Sequence, residues 1–208
     1  MSGWSEHKGL AVSLPMDNID TDQLIPARFM SQPRADGYGD FLLHDVRRLG
    51  NGELDPAFVL HEQPSATVLI AGRNFGIGSS REAAAYALLD AGFCAVIASG
   101  FGDIFAANAV NNGLLPALVD SKTLDELQQL IGSGAVSCSI NLMDSTLTVS
   151  GNTIAFALDE SWREKLISGW DDIDLTLAES PTIEAFRTRY FADAPWTLPS
   201  GKSTSNHG

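Results

Sequence analysis

The chain has 208 residues, of which 44% are hydrophobic, and this predicts one domain of moderate size with a sizeable core. Its formal net charge of -13 argues against binding to nucleic acid or to anionic membrane surfaces, because both need a basic face. No run of about 18 apolar residues is present, so no membrane-spanning helix is predicted.

The first 60 residues are rich in turn-forming residues, and residues 33–39 are predicted to form a loop. The apolar run at residues 68–71 predicts a buried strand, and a glycine-rich turn follows at residues 72–78. Residues 79–91 then have a helical composition. Ser79 and Glu82 fit an S-x-x-E capping box, which predicts that the helix begins at Ser79.

The middle of the chain continues with alternating strands and helices, which is typical of parallel βαβ units. A hairpin, two short helices and a last helix beginning at Pro181 follow. The elements predicted after the glycine turn are strands at 95–98 and 115–119, helices at 101–111 and 123–131, a hairpin of 146–149 with 153–157, and helices at 159–168 and 171–178. The pattern predicts an α/β fold in which a mixed sheet is packed by helices. A single domain is predicted over residues 1–194, with a disordered tail over residues 195–208 that is rich in Pro, Ser and Gly.

Two cysteines, Cys94 and Cys138, are present, and Cys94 adjoins a predicted buried strand. Two thiols cannot ligate an iron–sulfur cluster in the usual manner with three or four cysteines, and no zinc motif is present. No metal site is therefore predicted in this chain. The first 14 residues lack the apolar block of a signal peptide, and together with the absence of a disulfide pattern this predicts a cytoplasmic protein.

The strongest chemical signal lies at the end of the glycine turn, where Gly78, Ser79, Ser80 and Arg81 follow one another. Glycine lets the backbone approach a ligand closely, hydroxyls and helix N–H groups donate hydrogen bonds, and arginine can pair with a carboxylate through two bonds. This combination predicts a site for a carboxylate or a phosphate. The alternative is that Ser79 only caps the helix and that the glycines only form the turn.

A second polar segment, residues 17–26, contains three aspartates within six positions. A divalent cation is one interpretation, but no glutamate follows at the spacing of a calcium loop. The simpler interpretation is a polar turn with aspartate caps that leads into Leu24 and Ile25.

Three sequence motifs, taken together, resemble those of a known family. They are residues 20–26 (DTDQLIP), residues 78–82 (GSSRE), and residues 101–105 (FGDIF) followed by residues 112–116 (NGLLP). In this order and spacing they resemble the small subunits of 3-isopropylmalate dehydratase, which are swivel-domain proteins of the aconitase superfamily. The resemblance runs from about residue 5 to about residue 195.

The resemblance implies a swivelling β/β/α domain that works with a large subunit, in a heterodimer or a larger complex. In that family the large subunit carries a [4Fe–4S] cluster, and the small subunit completes the site for a small dicarboxylate. The serine that matches Ser79 is the catalytic base, and the residues that match Ser80 and Arg81 bind the substrate, with Gly78 beside them. The implied reaction is the interconversion of 2-isopropylmalate and 3-isopropylmalate by dehydration and rehydration, a step of leucine biosynthesis.

One departure from the family pattern bears on the substrate. The family usually has histidine after the GSSRE motif, and this chain has Ala83, which can neither titrate nor donate a hydrogen bond. A related hydratase that acts on another substituted malate or maleate, of the citraconate or dimethylmaleate type, therefore stays open, as does an anion-binding module without catalysis. The loop at residues 32–52 is predicted to choose the side group of the substrate.

Other polar side chains receive simpler interpretations. Asp103 is predicted to cap the helix that follows it, and His44 and His61 are predicted to lie on the surface. Arg28 follows the aspartate-rich segment and is a candidate to reach the substrate, whereas Glu82 is interpreted as a capping residue before a catalytic one.

Overall fold

A computed structural model describes residues 3–198 of the chain. The internal contacts divide the protein into two compact units, Met1–Gly169 and Trp170–Gly208. The single domain predicted over residues 1–194 stays a prediction. In the segment predicted to be a disordered tail, Pro195–Thr197 form one turn of 3-10 helix, and residues 199–208 lie outside the described residues.

A seven-stranded mixed sheet forms the frame of the first unit, in the strand order β4-β3-β2-β1-β5-β6-β7. The first four strands in this order pair in parallel, and β1, β5, β6 and β7 pair in antiparallel fashion. The strands are β1 (Glu6–Ser13), β2 (Val68–Ile70), β3 (Ala95–Ala98), β4 (Leu115–Leu118), β5 (Ala135–Asn141), β6 (Thr146–Val149) and β7 (Asn152–Ala155).

Helices join the parallel strands and follow the last hairpin. The described helices of the first unit are α1 (Thr21–Leu24), α2 (Val59–Glu62), α3 (Glu82–Asp90), α4 (Asp103–Asn111), α5 (Ser121–Ile131) and α6 (Glu160–Ser168). The second unit contains α7 (Asp172–Ala178) and α8 (Ser180–Asp193). No helix among residues 3–198 is long and apolar enough to cross a membrane.

The alternation of side chains along the parallel strands creates a core on each face of the sheet. Leu69 and Val96 belong to one buried cluster, and their neighbours Val68, Ile70 and Ile97 belong to the other. Because both faces are covered, these strands contain almost only apolar residues. Each fully buried aliphatic side chain contributes roughly 1.5–3 kcal/mol to folding.

The predicted α/β architecture is confirmed, and so are the strand at 95–98, the parallel βαβ section and the hairpin after residue 145. Two strands were not predicted. The first half of β1 is polar, and β5 alternates small side chains that include Ser137 and Ser139. Their pairing with each other, rather than their own composition, places them in the sheet.

Since β1, β2, β3 and β4 run parallel, their carboxyl ends meet at one edge of the sheet, which we call the carboxyl edge. In open α/β sheets ligands bind in the crevice outside this edge. The segments that leave β1, β2 and β3 here are residues 14–26, 71–81 and 99–102, and they contain the DTDQLIP motif, all but the last residue of GSSRE and the first two residues of FGDIF.

The close approach of these segments depends on Gly76, which has a φ of +71° and would place an added Cβ 2.3 Å from Cγ of Phe105. We expect Gly76→Ala to lower the free energy of unfolding, because it adds both backbone strain and an overlap with a buried ring. Gly151 is the matched control, since its φ is +82° and no atom lies within 4 Å of its added Cβ. Gly151→Ala should cost roughly 1–2 kcal/mol from backbone strain alone. Gly76→Ala should cost about 1–3 kcal/mol more, measured by urea unfolding, and equal losses would show that the contact with Phe105 relaxes freely.

Candidate functional site

The candidate site is built where the segments after β1 and β2 lie side by side. The amide of Asn18 donates to the carbonyl of Arg73 at 2.7 Å, and the amide of Gly76 donates to the carbonyl of Ile19 at 2.7 Å. One step further, the amide of Thr21 donates to the carbonyl of Ile77 at 2.9 Å. These bonds hold the glycine turn against the aspartate-rich segment, so two of the three sequence motifs are in direct contact.

The third motif joins the turn from the other side. Phe75 forms an isolated parallel bridge with Phe101. The amide of Phe75 donates to the carbonyl of Gly100, and the amide of Gly102 donates to the carbonyl of Phe75, each at 2.9 Å. The NGLLP motif also reaches the site, because the amide group of Asn112 donates to Glu82 at 2.9 Å.

The structure corrects the predicted start of the helix that carries Arg81. Helix α3 begins at Glu82, Arg81 is its N-cap with extended backbone, and the capping box predicted for Ser79 and Glu82 is absent from it. The pairing with residues 18–21 continues through Ile77, and helical backbone does not start until after Arg81. The carbonyl of Ser79 accepts hydrogen bonds from the hydroxyl of Thr21 at 3.1 Å and from the amide of Arg81 at 2.8 Å. A tertiary contact has therefore overridden a local capping preference.

This correction changes what Ser79 and Ser80 can do. Both residues are exposed and precede the helix, so neither hydroxyl is used to cap it. Gly78, with a φ of +102°, is exposed beside them and has only Thr21 and Asp20 near its added Cβ. The predicted site residues thus form one accessible strip of chain at the carboxyl edge.

Arg81 is held at the edge of this strip by an ion pair with Asp22. Its side chain is 18% exposed, whereas that of Asp22 is 56% exposed. Nη1 of Arg81 is the atom that bonds Asp22, and among the described residues no hydrogen bond engages its Nε or Nη2. The guanidinium therefore keeps donors for a ligand while a carboxylate fixes its position.

The three aspartates of residues 17–22 have three separate tasks. Asp17 bonds Arg73, which lowers the pKa of Asp17, and Asp20 caps α1 in a capping box with Gln23. Asp22 pairs with Arg81. The interpretation as a polar turn with aspartate caps is confirmed for Asp20. Sequence reasoning did not find Asp22 and Thr21 as partners of the site, although both lie inside a motif that it singled out.

One prediction about another side chain is wrong. Asp103 does not cap α4: the N-cap is Gly102, and Asp103 is the first helical residue. Arg28, a candidate to reach the substrate, forms an ion pair with Asp45 and lies 4.6 Å from the centre of the Phe29 ring, and its candidate role stays a prediction. Arg28 holds the pKa of Asp45 at about 2, below its usual range.

The loop at residues 32–52 is fastened to the far end of α3. Arg34 pairs with Asp90 at 3.0 Å and lies 3.8 Å from the centre of the Tyr86 ring. The amide of Tyr38 also donates to Asp90 at 3.2 Å. Helix α3 therefore connects this loop with Arg81.

Comparison with known proteins agrees with the motifs. The aconitase C-terminal domain family matches residues 1–122, which is more than half of the chain. The 3-isopropylmalate dehydratase small subunit of Bacillus licheniformis is 42% identical over 183 residues, covering 86% of this chain and 92% of that protein. The corresponding protein of Streptomyces coelicolor is 39% identical over 201 residues, covering 95% of this chain and 99% of that protein.

The chain belongs to the 3-isopropylmalate dehydratase small-subunit family. A crystal structure of 3-isopropylmalate dehydratase (leuD) from Methanocaldococcus jannaschii has the same fold, with a TM-score of 0.62 and 26% identity over 88% of this chain and 99% of that one. The family resemblance and the swivel-domain fold that the motifs predicted are therefore confirmed.

The thiols of this small-subunit family member do not fit an iron–sulfur cluster. Burial raises the pKa of Cys94 to about 12 and that of Cys138 to about 11, so both thiols are protonated near neutral pH. A cluster is usually held by three or four thiolates, and the chain has two cysteines. Within residues 3–198 no group of three or more His, Cys, Asp or Glu side chains is arranged to hold a metal ion.

Proposed function

We propose that this chain is the small subunit of a two-subunit hydro-lyase that converts 2-isopropylmalate into 3-isopropylmalate by dehydration and rehydration, a step of leucine biosynthesis in the cytoplasm. The observation that carries the proposal is that the motif of residues 20–26 contacts the accessible strip Gly78–Arg81 directly, through Thr21 and Asp22, while the other motifs contact the residues on either side of the strip, Phe75 and Glu82. The similar proteins named above bear the name of this enzyme's small subunit.

The proposal divides the chemistry between two subunits. We assign the [4Fe–4S] cluster to the large subunit, because the two cysteines here are fewer than the three or four that usually hold a cluster. When bound there, the cluster supplies a Lewis acid for the departing hydroxyl group. The small subunit supplies the groups that bind the dicarboxylate and move its proton.

Arg81 is proposed to bind a substrate carboxylate, with Ser80 and the backbone at Gly78 beside it. A protein with a net charge of -13 repels an anionic substrate in general, so the site needs a positive group at the point of contact. Arg81 provides one, and Asp22 limits its movement without occupying all of its donors.

Ser79 is proposed to be the base that takes the proton from the substrate carbon and returns it on rehydration. A serine alkoxide is inaccessible in water near neutral pH, so the site must favour negative charge. Arg81 lies two residues away, and the amino end of α3 begins immediately after it. Because the hydroxyl of Ser79 does not cap α3, it is available for this role.

A hydratase for another substituted malate or maleate is the alternative that the sequence left open, and the comparisons do not favour it. Ala83, which replaces the usual histidine, is 7% exposed and packs in the core below the site. We propose that the choice of side group is made by residues 32–52, which Arg34 and Tyr38 fasten to α3.

Reconstitution with the cognate large subunit tests the function directly. We expect the purified small subunit alone to be colourless and inactive, and the assembled pair to interconvert the two isopropylmalates faster than citraconate-type or dimethylmaleate-type substrates. Steady-state turnover on this panel decides the substrate. Dehydratase activity of the isolated chain would contradict the two-subunit proposal, and preference for another substrate would contradict the isopropylmalate assignment.

Arg81→Lys should reduce kcat/KM by at least roughly tenfold, or about 1.4 kcal/mol, because lysine keeps the charge but cannot make a paired, planar contact with a carboxylate. The control is Arg73→Lys, since Arg73 also pairs with an aspartate but its side chain is 65% exposed. It should have near wild-type kinetics. If both variants behave alike, Arg81 is not a substrate contact.

Ser79→Ala should abolish turnover while leaving the melting temperature nearly unchanged. The lost base should cost at least about 10³-fold in kcat, or roughly 4 kcal/mol, whereas removal of an exposed hydroxyl without a capping role should cost less than about 0.5 kcal/mol in stability. Asp20→Ala provides the stability control, because it removes a true N-cap worth about 1 kcal/mol. Both quantities are measured on the same reconstituted preparation, and more than about a tenth of wild-type turnover would exclude Ser79 as the base.

A further inference from the structure

An open apolar groove of about 660 Å³ lies outside the residues assigned to substrate binding. Its walls come from the segment before α4, from α4 itself, from β4, and from the chain around the start of α6. The apolar side chains that line it are Phe101, Ala106, Pro116, Leu118, Leu158 and Trp162. We call this surface the β4 groove.

The β4 groove lies close to the glycine turn that leads into the candidate site. Phe101, one of its walls, forms a bridge with Phe75 of the glycine turn, and their rings are 6.4 Å apart in an edge-on arrangement. Leu118 is the last residue of β4, so the groove also opens at the carboxyl edge. A protein that covers the substrate strip from the carboxyl edge would therefore also lie close to the β4 groove.

Leu118 is 40% exposed although it belongs to a strand. It lies at the outer edge of the sheet, where β4 pairs with β3 on one side and with Ala157 in a single bridge on the other. Exposed apolar side chains that lie together in a concave surface favour contact with an apolar group of another molecule.

Acidic side chains stand at the rim of the β4 groove. Asp103 and Asp159 both line it, and within residues 3–198 neither is paired with a basic side chain. Asp159 accepts hydrogen bonds from the amide of Ser161 at 2.8 Å and from its hydroxyl at 2.6 Å, and these bonds lower its pKa. Two carboxylates without a basic partner favour a covering surface that carries lysine or arginine.

We propose that the β4 groove is a docking site for the large subunit, which inserts an apolar side chain flanked by lysine or arginine. This inference rests on the proposed function. The large subunit must cover Ser79 and Arg81 if it is to complete the substrate site, and the groove lies on the same edge. A second copy of this chain is a poorer fit, because it would bring the acidic rim of one copy against that of the other.

The apolar part of the proposal is tested with Leu118→Asp in the full small subunit. We expect the Kd for the cognate large subunit to rise at least roughly tenfold, which corresponds to about 1.4 kcal/mol. The control is Met143→Asp, because Met143 is 63% exposed and lies beside the amino end of β1, at the opposite edge. It should leave the Kd unchanged. Calorimetry gives both constants, and equal Kd values for the two variants would overturn the proposal.

The charged part is tested with the double variant Asp103→Asn, Asp159→Asn, which keeps the cap of α6 because asparagine is as good an N-cap as aspartate. We expect weaker binding than wild type and a smaller change of Kd between about 0.05 M and about 0.3 M salt. The control Glu6→Gln, Glu62→Gln removes two exposed carboxylates near the amino ends of β1 and β2. If the Kd of the double variant depends on salt as strongly as the Kd of this control does, the proposal that the partner surface is basic is wrong.

Two further measurements distinguish a failure of the docking proposal from a variant that does not fold and from a failure of the proposed function. Hydrogen exchange in wild type should slow at residues 101–106 and 157–162 when the large subunit is added, and this measurement needs no variant. If Leu118→Asp does not fold, unchanged exchange in these segments overturns the docking site by itself. At saturating large subunit each folded variant should have near wild-type kcat. A wild-type pair without dehydratase activity counts against the proposed function. An active pair whose Kd is unaffected by the groove variants counts only against this inference.

Discussion

The pairing of residues 17–22 with the glycine turn is the contact on which the candidate site depends. It runs through Ile77, and α3 begins at Glu82 instead of at Ser79. The same pairing places Asp22 beside Arg81 and the hydroxyl of Thr21 on the carbonyl of Ser79. Because Gly78, Ser79 and Ser80 stay outside the helix, the two hydroxyl groups are exposed and neither of them caps α3.

The electrostatics of the site follow a consistent pattern. The protein is strongly acidic, and each arginine near the carboxyl edge is matched with a carboxylate: Arg73 with Asp17 and Arg81 with Asp22. The two pairs differ in burial, since the side chain of Arg73 is 65% exposed and that of Arg81 is 18% exposed. A partly desolvated cation interacts more strongly with an incoming anion than a solvated one does. Burial, more than charge, therefore distinguishes Arg81 from Arg73 and supports its proposed contact with the substrate.

The amino-acid sequence was sufficient to predict the elements whose periodicity is local and the motifs whose spacing is specific. The strand at 95–98, the hairpin, and the family resemblance all depended on short stretches that can be interpreted alone. The misses required contacts between distant segments. β1 and β5 have weak patterns of their own and are defined by each other, and the S-x-x-E pattern at Ser79 lost to bonds with residues about 58 positions earlier. Nothing in the local pattern at Arg28 indicated that Asp45 would engage it.

The attachment of the loop at residues 32–52 has a consequence for how selectivity could be exchanged between related proteins. Arg34 is bound at the last turn of α3, and Arg81 stands before its first, so nine residues, or roughly 13 Å of rigid helix, separate the two. A loop transplanted from a relative would lack the contacts that hold it to α3 unless the residues at Tyr86 and Asp90 were changed with it. If this loop selects the substrate side group, as proposed, an exchange of selectivity would involve the loop together with the α3 residues that hold it.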